Sequence, residues 1–208
     1  MATPYRKFLS KVLNKEVDLD SDTLKGTLHT ASYTPNLDTH AYVSDLTNEL
    51  GTAGGYTAGG VTVTGLTVTY TAANSWGTAA ATSTAYALGT VVRPSTGNGF
   101  LYRAAVAGTS GGSAPTWPTV VGQTVTDGSV TWECVGSGIT VVDCDDPTWA
   151  AAFTAGPFRY LVIHDHTPAT DATRPLVSLT DFGSNQTGGG GAFSAVINGQ
   201  GLFHIFHA

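Results

Sequence analysis

Apolar positions near the start of the chain recur with helical spacing. Tyr5, Phe8, Leu9, Val12 and Leu13 fall at i, i+3, i+4, i+7 and i+8, one face of a helix. Thr3 suits the N-cap and Pro4 the first helical position, where its missing N–H costs nothing, so the pattern predicts a helix over 3–15. A helix this short is marginal alone in water. Its apolar face therefore packs on its own domain or on a neighbouring subunit, and the acidic EVDLDSD that follows reads as a linker. A strand is expected over 24–33, then the turn TPNLD and a second short helix capped by Asp38, with Tyr42, Val43, Leu46 and Leu50 as its buried stripe. After the loop GTAGGYTAGG, Val61 and Val63 alternate with Thr. Leu66, Val68 and Tyr70 then alternate in the opposite phase, which places a bulge or tight turn at Gly65.

The same alternation returns later in the chain. ITVVD (139–143), PFRYLVIHD (157–165), RPLVSLTDFG (174–183) and AFSAVIN (192–198) read as strands, with DDPTWAAAF as a helical turn or irregular crossover. NGQG predicts a hairpin turn before the closing GLFHIFHA, whose core positions are Leu202 or Phe203, Ile205 and Phe206. Between 76 and 137 the texture changes: three of the four tryptophans, turn residues every few positions, and strands expected over 89–93, 100–106 and 129–135. A core of that size is marginal, so Tyr86, Phe100, Tyr102, Trp117 and Trp132 are expected to make most of it. The organisation is thus an N-terminal amphipathic arm (1–22), a β-rich base (23–75 and 138–208) and a small inserted β-module (76–137). The fold class is mainly β: an antiparallel β-sandwich or barrel-like domain with short helices, an N-terminal helical arm and a small inserted all-β module.

Composition sharpens this picture. Among 208 residues, 26 are Gly and 33 are Thr, charged residues are only 12% and apolar ones 41%. That excludes a disordered chain, which combines low hydrophobicity with high charge. No run approaches the ~20 apolar residues of a membrane-spanning helix. Formal charge is −6; all four lysines lie within the first 25 residues, and from 26 onward four arginines face eleven acids. Nucleic-acid binding by that acidic body is disfavoured, since neutralising phosphates takes clustered cations. The lysine-bearing lead segment is a solvated helix face or a dock for an acidic partner. The N-terminus lacks the apolar core of a secretory signal. Cys134 and Cys144 read as reduced thiols, although their spacing permits a bridge.

The quoted segments carry two resemblances. TASYTPNLDTHAYVSDL (30–46), GGYTAGGVTVTGLTVTY (54–70), DCDDPTWAAAFTAGPFRYLVIHDHTP (143–168) and PLVSLTDFG (175–183) resemble a family of small structural proteins of tailed bacteriophages. Residues 86–136 are similar to a module recurring in phage head and tail proteins and, more distantly, to small chitin-binding-type carbohydrate modules. The resemblance implies a non-enzymatic virion protein, assembled in the host cytoplasm, that decorates the capsid exterior as an oligomer such as a trimer. Its partners would be the major capsid protein or neighbouring virion subunits, with no cofactor, nucleic acid or membrane. The N-terminal arm departs from the shortest family members, and on its own amphipathic pattern Tyr5, Phe8, Leu9, Val12 and Leu13 would anchor the chain on the capsid or a neighbouring subunit. The alternative is a minor tail or surface adhesion protein whose insert binds a host-surface glycan through Tyr102, Trp117 and Trp132; otherwise those rings fill the insert's core.

Other chemistry is weakly signalled. GTSGG (108–112) fits G-x-S-x-G, but Pro115 follows where a nucleophile elbow needs a helix. His164 and His166 flank Asp165 on a strand, a spacing that can chelate, yet His29, His40, His204, His207 and Asp181 offer no spaced third ligand, so no metal site is assigned. Asp143, Asp145 and Asp146 lack the Ca²⁺-loop pattern and are expected to begin a helix before Pro147. Paired carboxylates for glycoside hydrolysis need only spatial proximity, but Glu49 and Glu133 are the only glutamates after residue 25.

Overall fold

The computed structural model describes residues 2–208. The chain is mainly β, as its alternation predicts, with several antiparallel sheets and one α-helix among the described residues. It divides into two compact units. One comprises residues up to Thr67 with Asp143–Phe203, the other Val68–Val142 with His204–Ala208. The second is larger than the expected insert because flanking strands belong to it.

The first unit is built on a five-stranded antiparallel sheet. With strands numbered along the chain, its order is β1 (Thr3–Pro4), β14 (Leu176–Gln186), β13 (Phe158–Asp165), β2 (Leu24–His29) and β3 (Val61–Thr62). Every residue of β13 except Arg159 is buried. A strand buried on both faces reads as a continuous apolar run rather than an alternation, and FRYLVIHD has that texture. Leu28 and Leu161 pack with Tyr56, Trp149, Phe153 and Phe158 in one cluster. Their neighbours Tyr160 and Val162, which point the other way, join Tyr5, Tyr33, Leu176 and Leu179 in another. β2 lies against β13 in unbroken register from Tyr160↔His29 to Asp165↔Leu24.

Several expectations for this unit are corrected. The helix α1 covers only Phe8–Leu13, not 3–15. Thr3–Pro4 is extended and pairs with Leu179 and Ser178, and the Tyr5 N–H donates to the Val177 carbonyl at 3.1 Å. The exposed edge of β14 supplies backbone partners, and proline is tolerated on an edge strand. The helix expected after Asp38 is a single 3₁₀ turn, Val43–Asp45. Asp45, not Asp38, caps it by accepting the Ala41 and Tyr42 N–H groups at 2.7 and 3.0 Å. Extended bonds win there: Val43 N–H donates to the Arg174 carbonyl and Leu50 N–H to that of Leu28. No helix follows Asp146 either. Asp145 accepts the Thr64 hydroxyl and Asp146 the Ile197 N–H, fastening two loops. Gly65 does make the expected turn, at φ +64°, with the Asp145 carboxylate where a Cβ would stand. Of 192–198 only β15 (Phe193–Ser194) is strand, and it pairs with β12 (Thr148–Trp149). The NGQG turn forms, but the segments flanking it join different sheets.

The second unit contains a four-stranded sheet ordered β6 (Val91–Val92), β7 (Leu101–Val106), β10 (Val130–Gly136) and β9 (Thr124–Asp127). A ribbon of β5 (Ala85–Tyr86) and β8 (Gly108–Thr109) accompanies it. A three-stranded sheet has β11 (Gly138–Asp143) between β16 (Phe203–His207) and β4 (Thr67–Ala72). The three expected strands of the insert are present; β9 and the ribbon were not anticipated. Gly128, at φ +64° and against the Thr109 carbonyl, closes the β9–β10 hairpin where a Cβ has no room.

Candidate functional site

The five residues expected to anchor the chain part company in the structure. Tyr5 and Phe8 are 1% and 2% exposed and belong to the first unit's own core. The Tyr5 hydroxyl meets that of Tyr33 at 3.0 Å, and Tyr33 in turn meets His40 Nδ1 at 2.9 Å. Phe8 sits edge-on to Phe203. Val12 is half-buried, while Leu9 and Leu13 are exposed, Leu13 at 74%. Lys11, on the same helix, is held by Glu16 and the Tyr42 hydroxyl. Only the outward rim of the stripe is available to a partner.

The three rings considered for sugar stacking divide similarly. Tyr102 and Trp132 are fully buried, so neither offers a face to a ligand, a correction to that reading. Tyr102 donates its hydroxyl to the Pro118 carbonyl at 2.7 Å, and Trp132 donates Nε1–H to Asp127 at 3.2 Å. Trp117 leans on both, at ring separations of 4.4 and 5.9 Å, and is half-buried beside Pro115. These aromatics are the core that a module of this size requires.

A polar pocket of about 350 Å³ opens in the first unit, and sequence spacing alone did not reveal it. β2 contributes Thr27 and His29, β13 contributes His164, the residue just past its end is His166, and loops add Glu49 and Arg174. His29 is oriented by Thr27 Oγ1 at 2.9 Å and the Thr47 carbonyl at 2.9 Å. His164 Nε2 lies 3.4 Å from His166 Nδ1, whereas its own Nδ1 is buried without a partner. Burial, with the neighbouring His166 and Arg174, pulls His164 down to about 3. Burial likewise lowers His29 and His166, the latter aided by Lys25 and Arg174. All three imidazoles are therefore neutral at pH 7. Arg174 is held by Asp171 at 2.8 Å and the Pro168 carbonyl at 2.9 Å.

Of the third ligands considered for the histidine pair, His29 shares the pocket, but Asp181 is bound two-pronged by Arg159 at 2.9 and 3.0 Å. Among the described residues no group of three or more His, Cys, Asp or Glu converges on one ion-sized point. Ser110 of GTSGG donates its hydroxyl to the Ala81 carbonyl and accepts the Thr84 N–H, a turn-fixing role. Both cysteines are free and buried. Burial and the acids Asp143, Asp145 and Asp146 push Cys144 up to about 12, so it carries no thiolate at neutral pH.

A third feature is a surface. β4, TVTYTA, is the edge of its sheet, carries no charge, and is exposed at every position but Thr71. Tyr70 is 60% exposed and Val68 46%. No protein-family model, curated protein or solved structure matches the chain.

Proposed function

We propose that this chain is a structural protein of a tailed-phage virion, decorating the head as an oligomer and working by surface burial rather than by chemistry. The resemblance of residues 30–46, 54–70, 143–168 and 175–183 to small phage structural proteins is one support. The observation that carries the mechanism is β4. Soluble proteins blunt open strand edges with charge, proline or a covering element, because unpaired N–H and C=O groups template another chain. β4 has no charge and no proline over six residues. Pairing it with a neighbouring subunit satisfies its backbone and covers Val68 and Tyr70. Leu9 and Leu13 on α1 supply a separate apolar contact.

The test is sedimentation of the labelled protein with phage heads lacking decoration, alongside light scattering of the free protein. An oligomer that travels with heads is expected. Val68→Lys with Tyr70→Lys should abolish assembly at a stability cost of about 1 kcal/mol, since the Tyr70 ring, though 60% exposed, rests edge-on against His207. A monomer that ignores both heads and tails overturns the proposal; co-sedimentation with tails alone overturns the head placement.

A further inference from the structure

The loop that precedes β2 carries Asp18, Asp20 and Asp22 at alternate positions. Such a cluster of surface acids is unremarkable alone. A separate residue changes its meaning. Asp165, the last residue of β13, is 0% exposed, and its Oδ2 has no hydrogen-bond partner. A buried carboxylate oxygen with nothing to accept from is costly, because its lost hydration is not replaced.

The backbone aims these groups at one another. Asp165 is opposite Leu24 in the β13–β2 ladder, His166 N–H donates to the Thr23 carbonyl at 2.8 Å, and Thr23 N–H donates to Thr167 Oγ1 at 2.8 Å. Those bonds bring Asp22 against Asp165, carboxylate facing carboxylate. Asp165 Oδ1 is served by the Thr167 N–H at 2.8 Å, and Asp22 Oδ2 by the Asp18 N–H at 2.6 Å. Each acid thus has one oxygen fixed by a donor, and Oδ2 of Asp165 has none.

We propose that Asp165 and Asp22 hold a divalent, oxygen-preferring cation of the Ca²⁺ class between them. Two facing carboxylates need either a proton or a cation between them, and an all-oxygen donor set selects hard ions over the thiolate- and imidazole-seeking metals. No third His, Cys, Asp or Glu side chain joins them at ligating range among the described residues, so backbone carbonyls and water complete the shell, as Ca²⁺ readily accepts. Two carboxylates place the affinity in the weak range, with Kd of about 10⁻⁴–10⁻³ M. The ion would tie the Asp18–Asp22 loop to the end of β13.

The test is calorimetric titration of the full-length protein with CaCl₂ at pH 7.4 after EDTA treatment, with thermal unfolding followed in parallel. One saturable site and a rise in Tm with Ca²⁺ are expected. Asp22→Asn and Asp165→Asn should each weaken binding by about tenfold or more, since affinity follows ligand charge. Asp22 is only half-buried, so its variant stays informative if Asp165→Asn does not fold. Absence of saturable binding overturns the proposal, and a Tm raised only by acidification identifies a shared proton instead. Binding that survives Asp22→Asn places the ion elsewhere and overturns it equally.

Discussion

The two units solve the problem of buried polar groups differently. In the second unit, the buried polar side chains Ser110 and Asp127 are both engaged. Ser110 serves Ala81 and Thr84; Asp127 accepts from the Gly111 N–H at 2.8 Å and from Trp132 Nε1. In the first unit, four buried side-chain atoms among the described residues have no partner: Trp149 Nε1, His164 Nδ1, Asp165 Oδ2 and Ser178 Oγ. Natural interiors leave few such atoms, and each asks for an explanation. The second unit's buried polar side chains Ser110 and Asp127 are spent on fixing its turns. The five-stranded unit keeps unspent polar capacity at the ends and centre of its sheet, where the pocket and the proposed cation site lie.

The sharpest way to break this contrast is through the module's core. Trp132 is fully buried, 4.8 Å from the Tyr86 ring, and its N–H is one of the two donors bonded to Asp127. Trp132→Ala should cost about 3–5 kcal/mol, the range for truncating a buried aromatic. Near-ultraviolet circular dichroism during heating should show the module's signal lost at lower temperature while the transition of the five-stranded unit persists. A single unchanged transition would mean that the ring is not what holds the module together.

His164 gives a smaller, pH-dependent effect confined to the other unit. Its folded-state pKa near 3 lies well below the ordinary imidazole value of about 6.5. Between those values the unfolded chain binds the proton and the folded one does not, so stability falls as pH falls through that window. From pH 7 to pH 5 the share due to His164 is about 2 kcal/mol, at roughly 1.4 kcal/mol per pH unit below 6.5, with His29 and His166 adding to the slope in the same direction. His164→Leu should flatten this slope, read from urea midpoints at the two pH values. An equal slope in both proteins would place the titration elsewhere.

What the sequence disclosed follows the same division. Strands announced themselves where β-branched and aromatic residues run unbroken, as in PFRYLVIHD, or where Thr alternates with Val. The aromatic core of the module was legible because so short a stretch has little else to bury. Lost were the features that tertiary hydrogen bonds decide. Thr3–Pro4 carried a good helix start, yet the edge of β14 claimed it for a strand. His164 and His166 were visible as a pair, but Thr27, Glu49 and Arg174 join them only through strand register and loop closure. Asp22 and Asp165 are 143 positions apart, and only the β2–β13 ladder makes them neighbours. The alternating acids Asp18, Asp20 and Asp22 were the available signal, and they read as a linker because nothing in sequence pointed to Asp165.

The finest test makes one chemical change in each unit. Ser178 in β14 is 1% exposed, opposite Ile163 on one side and Pro4 on the other, with its hydroxyl unpartnered. Ser178→Ala removes a desolvated hydroxyl that bonds to nothing, so the change costs no hydrogen bond. Stability should be unchanged or raised by up to about 1 kcal/mol. Ser110→Ala removes a hydroxyl of nearly equal burial that accepts the Thr84 N–H, stranding that donor while the Ala81 carbonyl keeps the Tyr86 hydroxyl, and should cost about 1–3 kcal/mol. Urea unfolding of the two variants side by side reads the difference directly. Opposite signs follow from the satisfied and unsatisfied states of the two hydroxyls; equal losses would mean that Ser178 has a partner after all, and the contrast between the units would fail at that position.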